Sequence, residues 1–217
     1  MTKKATIKLI ADRELYCGAV KQVSILHPPP VYYPDISNED IHSLSVQGFT
    51  WHPNGVVFDS KTGFTWLTAY EAAKIEVQAD TEVAIVVPIE VPNEGYVCVP
   101  DEMDEEDDRL FLTPGHYKML FELRDMTDEE FAIEKYSSAY PMVLKPTLTI
   151  RPEICTLTFV SVKGKVKPQV LRFLPGVPVQ YQQQIRNGSM KREELIPDEL
   201  IMFDTPLEQH SINKTNA

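Results

Sequence analysis

The sequence predicts a mainly β protein: an antiparallel β-sandwich with one short helix in its N-terminal half and a C-terminal extension of mixed strands and short helices. Three observations point there. Between Phe49 and Leu123 turn signals recur roughly every 8–12 residues, the spacing of a sandwich. The segments between the turns are short, apolar or alternating. Helix start and stop signals coincide clearly only once, over Ser37–Gln47.

Ile7–Ile10 and Val20–Leu26 read as the first strands. Pro28, Pro29 and Pro30 then force an extended, non-helical stretch. In Ser37–Gln47, Ser37 is the N-cap and Glu39 and Asp40 sit near the positive end of the dipole. Ile41 and Leu44 form a narrow apolar stripe, and Gly48 falls where a left-handed C-cap belongs. So short a helix depends on docking against a sheet.

Phe49 and Trp51 point one way on the next strand, Pro53-Asn54-Gly55 turns the chain, and Val56–Phe58 returns. Lys74–Gln78 alternates, with Ile75 and Val77 on one face of a predicted strand. Val83–Val91 is a longer apolar strand, and its Pro88 requires an edge or a bulge because it cannot donate to a ladder. Asn93-Glu94-Gly95 turns into Tyr96–Val99. Arg109–Leu112 follows an acidic stretch, and Thr113-Pro114-Gly115 leads into Tyr117–Leu123.

Beyond Arg124, Asp125–Tyr136 reads as a loop or a short helix around Asp128–Glu134. Tyr140–Leu144, Leu148–Ile150, Leu157–Val162 and Val170–Leu174 read as strands. Val179–Arg186, with Gly188 after it, and Pro197–Phe203 read as short helices, and His210–Ala217 as a frayed tail. The expected division is an acidic sandwich domain over 1–125 and an extension over 126–217, which is either continuous with that sandwich or a second module.

Composition narrows the function. The 217 residues carry 32 acids and 21 Lys or Arg, a net charge of -11. A surface of that sign disfavours binding nucleic acid through its phosphates. The acidity is local, since residues 1–145 hold 25 acids and 12 bases, whereas 146–217 hold 7 and 9. Its densest point is Asp101, Glu102, Asp104, Glu105, Glu106, Asp107 and Asp108, interrupted only by Met103. Taken alone, such a run is a solvated, self-repelling loop. The alternative is a docking surface for a cationic partner. A calcium loop fits less well, because the alternating acids and terminal Glu of an EF-hand are missing.

The residues offer no catalytic, cofactor or metal site. His27, His42, His52, His116 and His210 are scattered and pair with no cysteine motif. The elbow of a serine hydrolase and the glycine-rich loops of nucleotide binders are absent from the sequence. His52 beside Trp51 is expected as a turn-flanking residue rather than a general base. Cys17, Cys98 and Cys155 are too few and too far apart for a disulfide framework, so reduced thiols in the cytoplasm are expected. No stretch has the length of a signal core or a membrane span. Phe49, Trp51 and Trp66 are expected in the core.

Three motifs stand in order: Gly48-Phe49-Thr50-Trp51-His52-Pro53-Asn54-Gly55-Val56-Val57-Phe58 after an acidic helix, Ala84-Ile85-Val86-Val87-Pro88-Ile89-Glu90-Val91-Pro92, and Leu112-Thr113-Pro114-Gly115-His116-Tyr117. Together they resemble the competence protein J family, over roughly Val20–Leu123. The acidic run and the length after Leu123 depart from the family's usual pattern. The resemblance implies a non-enzymatic protein that inhibits a DNA nuclease, and it carries no inhibitory residues over.

An acidic protein can fill a nuclease's cationic groove in place of phosphate, with electrostatic steering. On that expectation the partner is a basic nuclease or toxin, met by Asp101–Asp108 with Glu39 and Asp40 as a second cluster. The competing expectation is a small-ligand or carbohydrate-binding sandwich using Tyr32, Tyr33, Trp51 and Trp66 around a cleft, or a structural assembly subunit with a large apolar patch.

Overall fold

A computed structural model describes residues 7–17, 20–24, 43–44, 47–52, 55–60, 63–100, 108–133, 152–175, 177 and 179–191. The predicted strands Tyr140–Leu144 and Leu148–Ile150 and the predicted helix Pro197–Phe203 lie outside them. So do the tail and most of the helix predicted before Gly48.

The strands are β1 (Lys8–Cys17), β2 (Val20–Ser24), β3 (Phe49–His52), β4 (Gly55–Asp59), β5 (Gly63–Glu71), β6 (Val83–Val91), β7 (Tyr96–Cys98), β8 (Arg109–Phe111), β9 (Gly115–Asp125), β10 (Glu153–Ser161) and β11 (Gln169–Arg172). The helices are α1 (Asp128–Phe131) and α2 (Gln182–Arg186), the latter led in by a 3-10 turn over Val179–Tyr181. The protein is mainly β, and its strands form two sheets. Sheet A runs β1-β5-β10-β9-β6-β11, and sheet B runs β3-β4-β2-β7-β8.

The sheets pack face to face. Every second residue of each strand points into the shared core: Val83, Ile85 and Val87 of β6, Met119, Phe121 and Leu123 of β9, and Leu157 and Phe159 of β10. Sheet B meets them with Val23, Phe49, Val56, Phe58, Val97 and Leu110. The Phe58 and Phe121 rings stack across the gap, with centroids 4.1 Å apart and planes 2° apart. Phe49 is buried and Trp51 half-buried, edge to face at 5.9 Å.

Three features of the sequence reading change. First, one strand pair is parallel: β10 pairs with β5 from Glu153↔Thr65 to Phe159↔Glu71. Parallel neighbours need a long crossover, and between β5 and β10 the chain forms β6, passes to sheet B for β7 and β8, and returns to sheet A as β9. Second, β5 has no counterpart among the predicted strands. Its Thr65, Leu67 and Ala69 are buried on one face and its Trp66 on the other, which erases the alternation of a half-exposed strand.

Third, Lys74–Gln78 is not a strand. Ile75 and Val77 instead pack on Ala84, Val86 and Leu120, covering the outer face of sheet A. Side chains occupy its backbone groups: Gln78 N–H donates to Glu122 Oε1 at 2.8 Å, and Arg172 donates to the carbonyls of Gln78, Ala79 and Thr81. β10 and β11 overlap the predicted strands Leu157–Val162 and Val170–Leu174, and β10 sits in the interior of sheet A between β5 and β9.

Pro88 meets its steric condition by position. β11 pairs only with Ala84–Val86, so β6 is an edge at Pro88. Gly48 closes the helical residues before it, with φ 80° and its N–H donating to Leu44 O at 2.8 Å. A β-carbon there would come within 2.8 Å of Ile85 Cδ1.

Candidate interaction surface

The hairpin β7–β8 holds the described end of the acidic run. Gly95 opens it, with φ 77° and its N–H donating to Pro92 O at 2.9 Å, as an Asn-Glu-Gly turn requires. The register runs Tyr96↔Phe111, Val97↔Leu110 and Cys98↔Arg109. Two backbone bonds flank it: Leu112 N–H to Gly95 O at 2.8 Å and Val99 N–H to Asp108 O at 2.7 Å. Val97, Val99, Leu110 and Leu112 point into the core and anchor the hairpin.

The other face is polar and aromatic. The Tyr96 and Phe111 rings meet edge to face at 6.0 Å, and the Arg109 guanidinium lies 5.8 Å from the Tyr96 ring. Phe111 is 63% exposed, unusually open for a phenylalanine in a strand. Neither ring was among the sequence candidates. The pattern Arg109-Leu110-Phe111 carries the only signal, an apolar side chain on the solvent face of a very short strand.

The predicted contact residues divide. Asp101, Glu102, Asp104, Glu105, Glu106 and Asp107 lie outside the described residues, as do Glu39 and Asp40. The first six join Pro100 to Asp108, whose neighbourhood is defined. Asp108 itself is 2% exposed, so it departs from the solvent-facing role expected of the run as a whole. Its main chain extends the ladder, and chain continuity from a core-bound strand turns its carboxylate inward beside Cys98. The Cys98 thiol donates to that carboxylate. Burial, and then the charge of Asp108, push the thiol up to about 12, with Arg109 pulling the other way. Cys98 is therefore a protonated thiol at neutral pH and no nucleophile.

Of the four aromatics of the alternative expectation, the two described ones stand on different sheets. Trp51 is on β3 of sheet B and Trp66 on β5 of sheet A. Trp66 is buried, its Nε1 donating to Asp12 Oδ1 at 2.6 Å. Tyr32 and Tyr33 lie outside the described residues.

Buried charge elsewhere is engaged in holding the fold. Glu122 accepts from Gln78 N–H and Thr81 Oγ1, both at 2.8 Å, and burial raises its carboxyl above the ordinary range. Gln182 is fully buried and ties Leu174 N–H, Leu174 O and Val177 O at 2.7–2.9 Å. Among the described residues, no three His, Cys, Asp or Glu side chains gather as metal ligands. No described helix is long and apolar enough to cross a membrane.

No curated protein matches this sequence. Two solved structures share features of its shape. One is Bacillus subtilis ComJ, inhibitor of the DNA-degrading activity of NucA: 16% identity, TM-score 0.49, covering 72% of this chain and 99% of that one. The other is the product of crocagin biosynthetic gene J: 14% identity, TM-score 0.43, covering 74% and 100%. The sequence itself carries the stronger finding. The model of the family Competence protein J (ComJ) matches residues 21–148, more than half of the chain and a longer span than the three motifs delimit. The chain belongs to the competence protein J family.

Proposed function

We propose that this chain is a non-enzymatic, cytoplasmic inhibitor of a DNA-degrading nuclease. Its contact with the enzyme is an acidic surface over Asp101–Asp107, with Glu39 and Asp40 as a second cluster. The observation that carries the reading is the family match over residues 21–148. ComJ of Bacillus subtilis inhibits the DNA-degrading activity of NucA.

Charge supports the reading. An enzyme that binds DNA presents a cationic groove, and six carboxylates within seven residues can take the place of phosphates there. The hairpin β7–β8 that flanks them in sequence is anchored by four core side chains.

The test uses the purified chain and NucA, the nuclease whose DNA-degrading activity Bacillus subtilis ComJ inhibits. Degradation of linear DNA is followed while the chain is titrated, at low and high salt. Inhibition that weakens with salt is expected. Replacing Asp101, Glu102, Asp104, Glu105, Glu106 and Asp107 by their amides should weaken inhibition and flatten its salt dependence. An uninhibited nuclease overturns the proposal. Inhibition unaltered by the amide variant removes the acidic run from the interface.

A further inference from the structure

Residues 72–81 cross the outer face of sheet A between β5 and β6 without joining it as a strand. Among the described residues, bonds between main chains tie this crossing to the sheet only at its ends: Ala72 N–H to Phe159 O at 2.9 Å, and Glu82 N–H to Leu123 O at 2.8 Å. Between them there is one such bond, internal and long, from Thr81 N–H to Gln78 O at 3.4 Å. Everything else that holds the crossing to the sheet is a side chain. Ile75 and Val77, both half-buried, rest on Ala84, Val86 and Leu120, which are at most 3% exposed. Glu122 Oε1 accepts from Gln78 N–H and from the Thr81 hydroxyl, at 2.8 Å each. Arg172 Nη1 donates to the carbonyls of Gln78, Ala79 and Thr81. Arg124 Nε lies 3.1 Å from the exposed Asp80 carboxylate.

We propose that residues 72–81 form a strap that lifts from sheet A as one unit while the sandwich stays folded, with Glu122 setting how readily it lifts. Lifting uncovers the patch of Ala84, Val86 and Leu120 on the face turned away from the main core.

Segments open locally where few apolar contacts and few ladder bonds hold them. The strap has two apolar side chains on a patch of three, whereas the other face of the sheet belongs to the continuous core. The closed strap also buries a carboxyl group. Glu122 is 3% exposed, and burial raises it above the ordinary 4.5 against the pull of its two strap bonds. Lifting returns that group to water and recovers part of the cost of opening. Two charges face it: Asp80 of the strap raises it further, and Arg172 of β11 lowers it. Its ladder neighbours, Ala84 of β6 and Thr156 of β10, do not titrate. Arg124, two residues along β9, is engaged by Asp80 and Glu130. The closed strap therefore keeps the Glu122 proton to higher pH than the open one. Closure is fully favoured below 4.5 and weakens as pH rises through the raised value.

The test places a thiol beneath the strap with Ala84→Cys and follows its modification by a thiol reagent in the full chain. Mass spectrometry resolves the sites, and the buried Cys98 and Cys155 report global unfolding. The new thiol should react at least roughly tenfold faster than Cys98 and Cys155, as local opening requires. Arg172→Ala should speed it further and leave Cys98 and Cys155 unchanged. Glu122→Gln keeps both acceptor bonds without the charge. The rate ratio of the Ala84→Cys chain with and without the native Glu122 should rise severalfold from pH 5 to pH 8, the reagent's own pH dependence cancelling.

A new thiol that reacts only in step with Cys155 overturns the strap. A ratio that stays constant between pH 5 and pH 8 overturns the part given to Glu122. Should Ala84→Cys fail to fold, amide exchange in the unaltered chain decides. Gln78 N–H must then be less protected than Phe121 N–H in the ladder of β9, and equal protection overturns the strap.

Discussion

Lys21 and Glu153 face each other across the interior of the sandwich, Nζ to Oε2 at 3.5 Å, each side chain 2% exposed. Lys21 belongs to β2 of sheet B, and Glu153 begins β10 of sheet A. The pair thus pins the first residue of an interior strand to the opposite sheet. Coulomb attraction at this depth is strong, yet so is the cost of desolvating both groups, so the pair specifies alignment more than it adds stability.

Breaking one side should therefore cost more than removing both. Lys21→Met leaves the Glu153 carboxylate buried against carbon, with an expected loss of about 3–5 kcal/mol. The double variant Lys21→Met with Glu153→Leu should lose clearly less. Urea denaturation of the two singles and the double measures the coupling, and simple additivity would contradict this account.

Asp59, at the end of β4, should make stability depend on pH. Burial, and then the charge of Glu153, raise its carboxyl to about 7 from 3.8. The folded state therefore holds a proton that the unfolded chain releases near pH 4. Asp59's contribution is fully present below pH 4 and is lost as pH rises through 7. Asp59→Asn should flatten the profile between pH 4 and 7. Urea midpoints at pH 4.5 and 8 for parent and variant check the sign.

Glu130 should act in the opposite sense. The Arg124 guanidinium grips it with two bonds, at 2.7 and 2.6 Å, and also contacts Asp80 at 3.1 Å. That grip, with the Thr127 N–H and hydroxyl, lowers its carboxyl to about 2. Its contribution is present above about pH 4.5 and lost as pH falls toward 2. Glu130→Gln should remove that acid-side loss. Thr127 and Glu130 also form a reciprocal capping box on α1, so Thr127→Ala should cost about 1 kcal/mol. Thermal melts at pH 3 and pH 7 separate the two effects.

Two glycines with similar backbone angles should respond differently to alanine. Gly48 has φ 80° and a β-carbon position 2.8 Å from Ile85 Cδ1, whereas Gly188 has φ 77° with open space around it. Gly188→Ala carries only the left-handed penalty, about 1–2 kcal/mol. Gly48→Ala adds overpacking of the core and should exceed it by about 1 kcal/mol or more. Equal midpoints for the two variants would show that Ile85 moves aside freely.

Much of the strand layout is legible in local signals. The Asn-Gly turn after His52 agrees with the antiparallel register Phe49↔Phe58 to His52↔Gly55. Pro88 required an edge or a bulge and lies at an edge. Gly48 required a left-handed cap and has it. Sequence alternation misled at Ile75 and Val77, because a covering segment and a strand can bury the same every-other-residue pattern. It was silent over Gly63–Glu71, where both faces are covered. At the candidate site the acidic run was conspicuous in sequence, whereas the Tyr96–Phe111 pair was not, since only pairing brings residues 15 apart into contact.

The sequence alone determined the class of the protein, its turns, its uneven charge and the motifs that place it in its family, because each is a property of neighbouring residues. Tertiary structure alone decided which strands are neighbours. It set β10 parallel to β5 in the interior of sheet A, brought Lys21 to Glu153, buried Asp108 and left Phe111 exposed on the last described strand of sheet B. Period and turn chemistry say which side chains share a face of one strand. The choice of partner strand is a long-range event, settled by how two sheets bury their faces together.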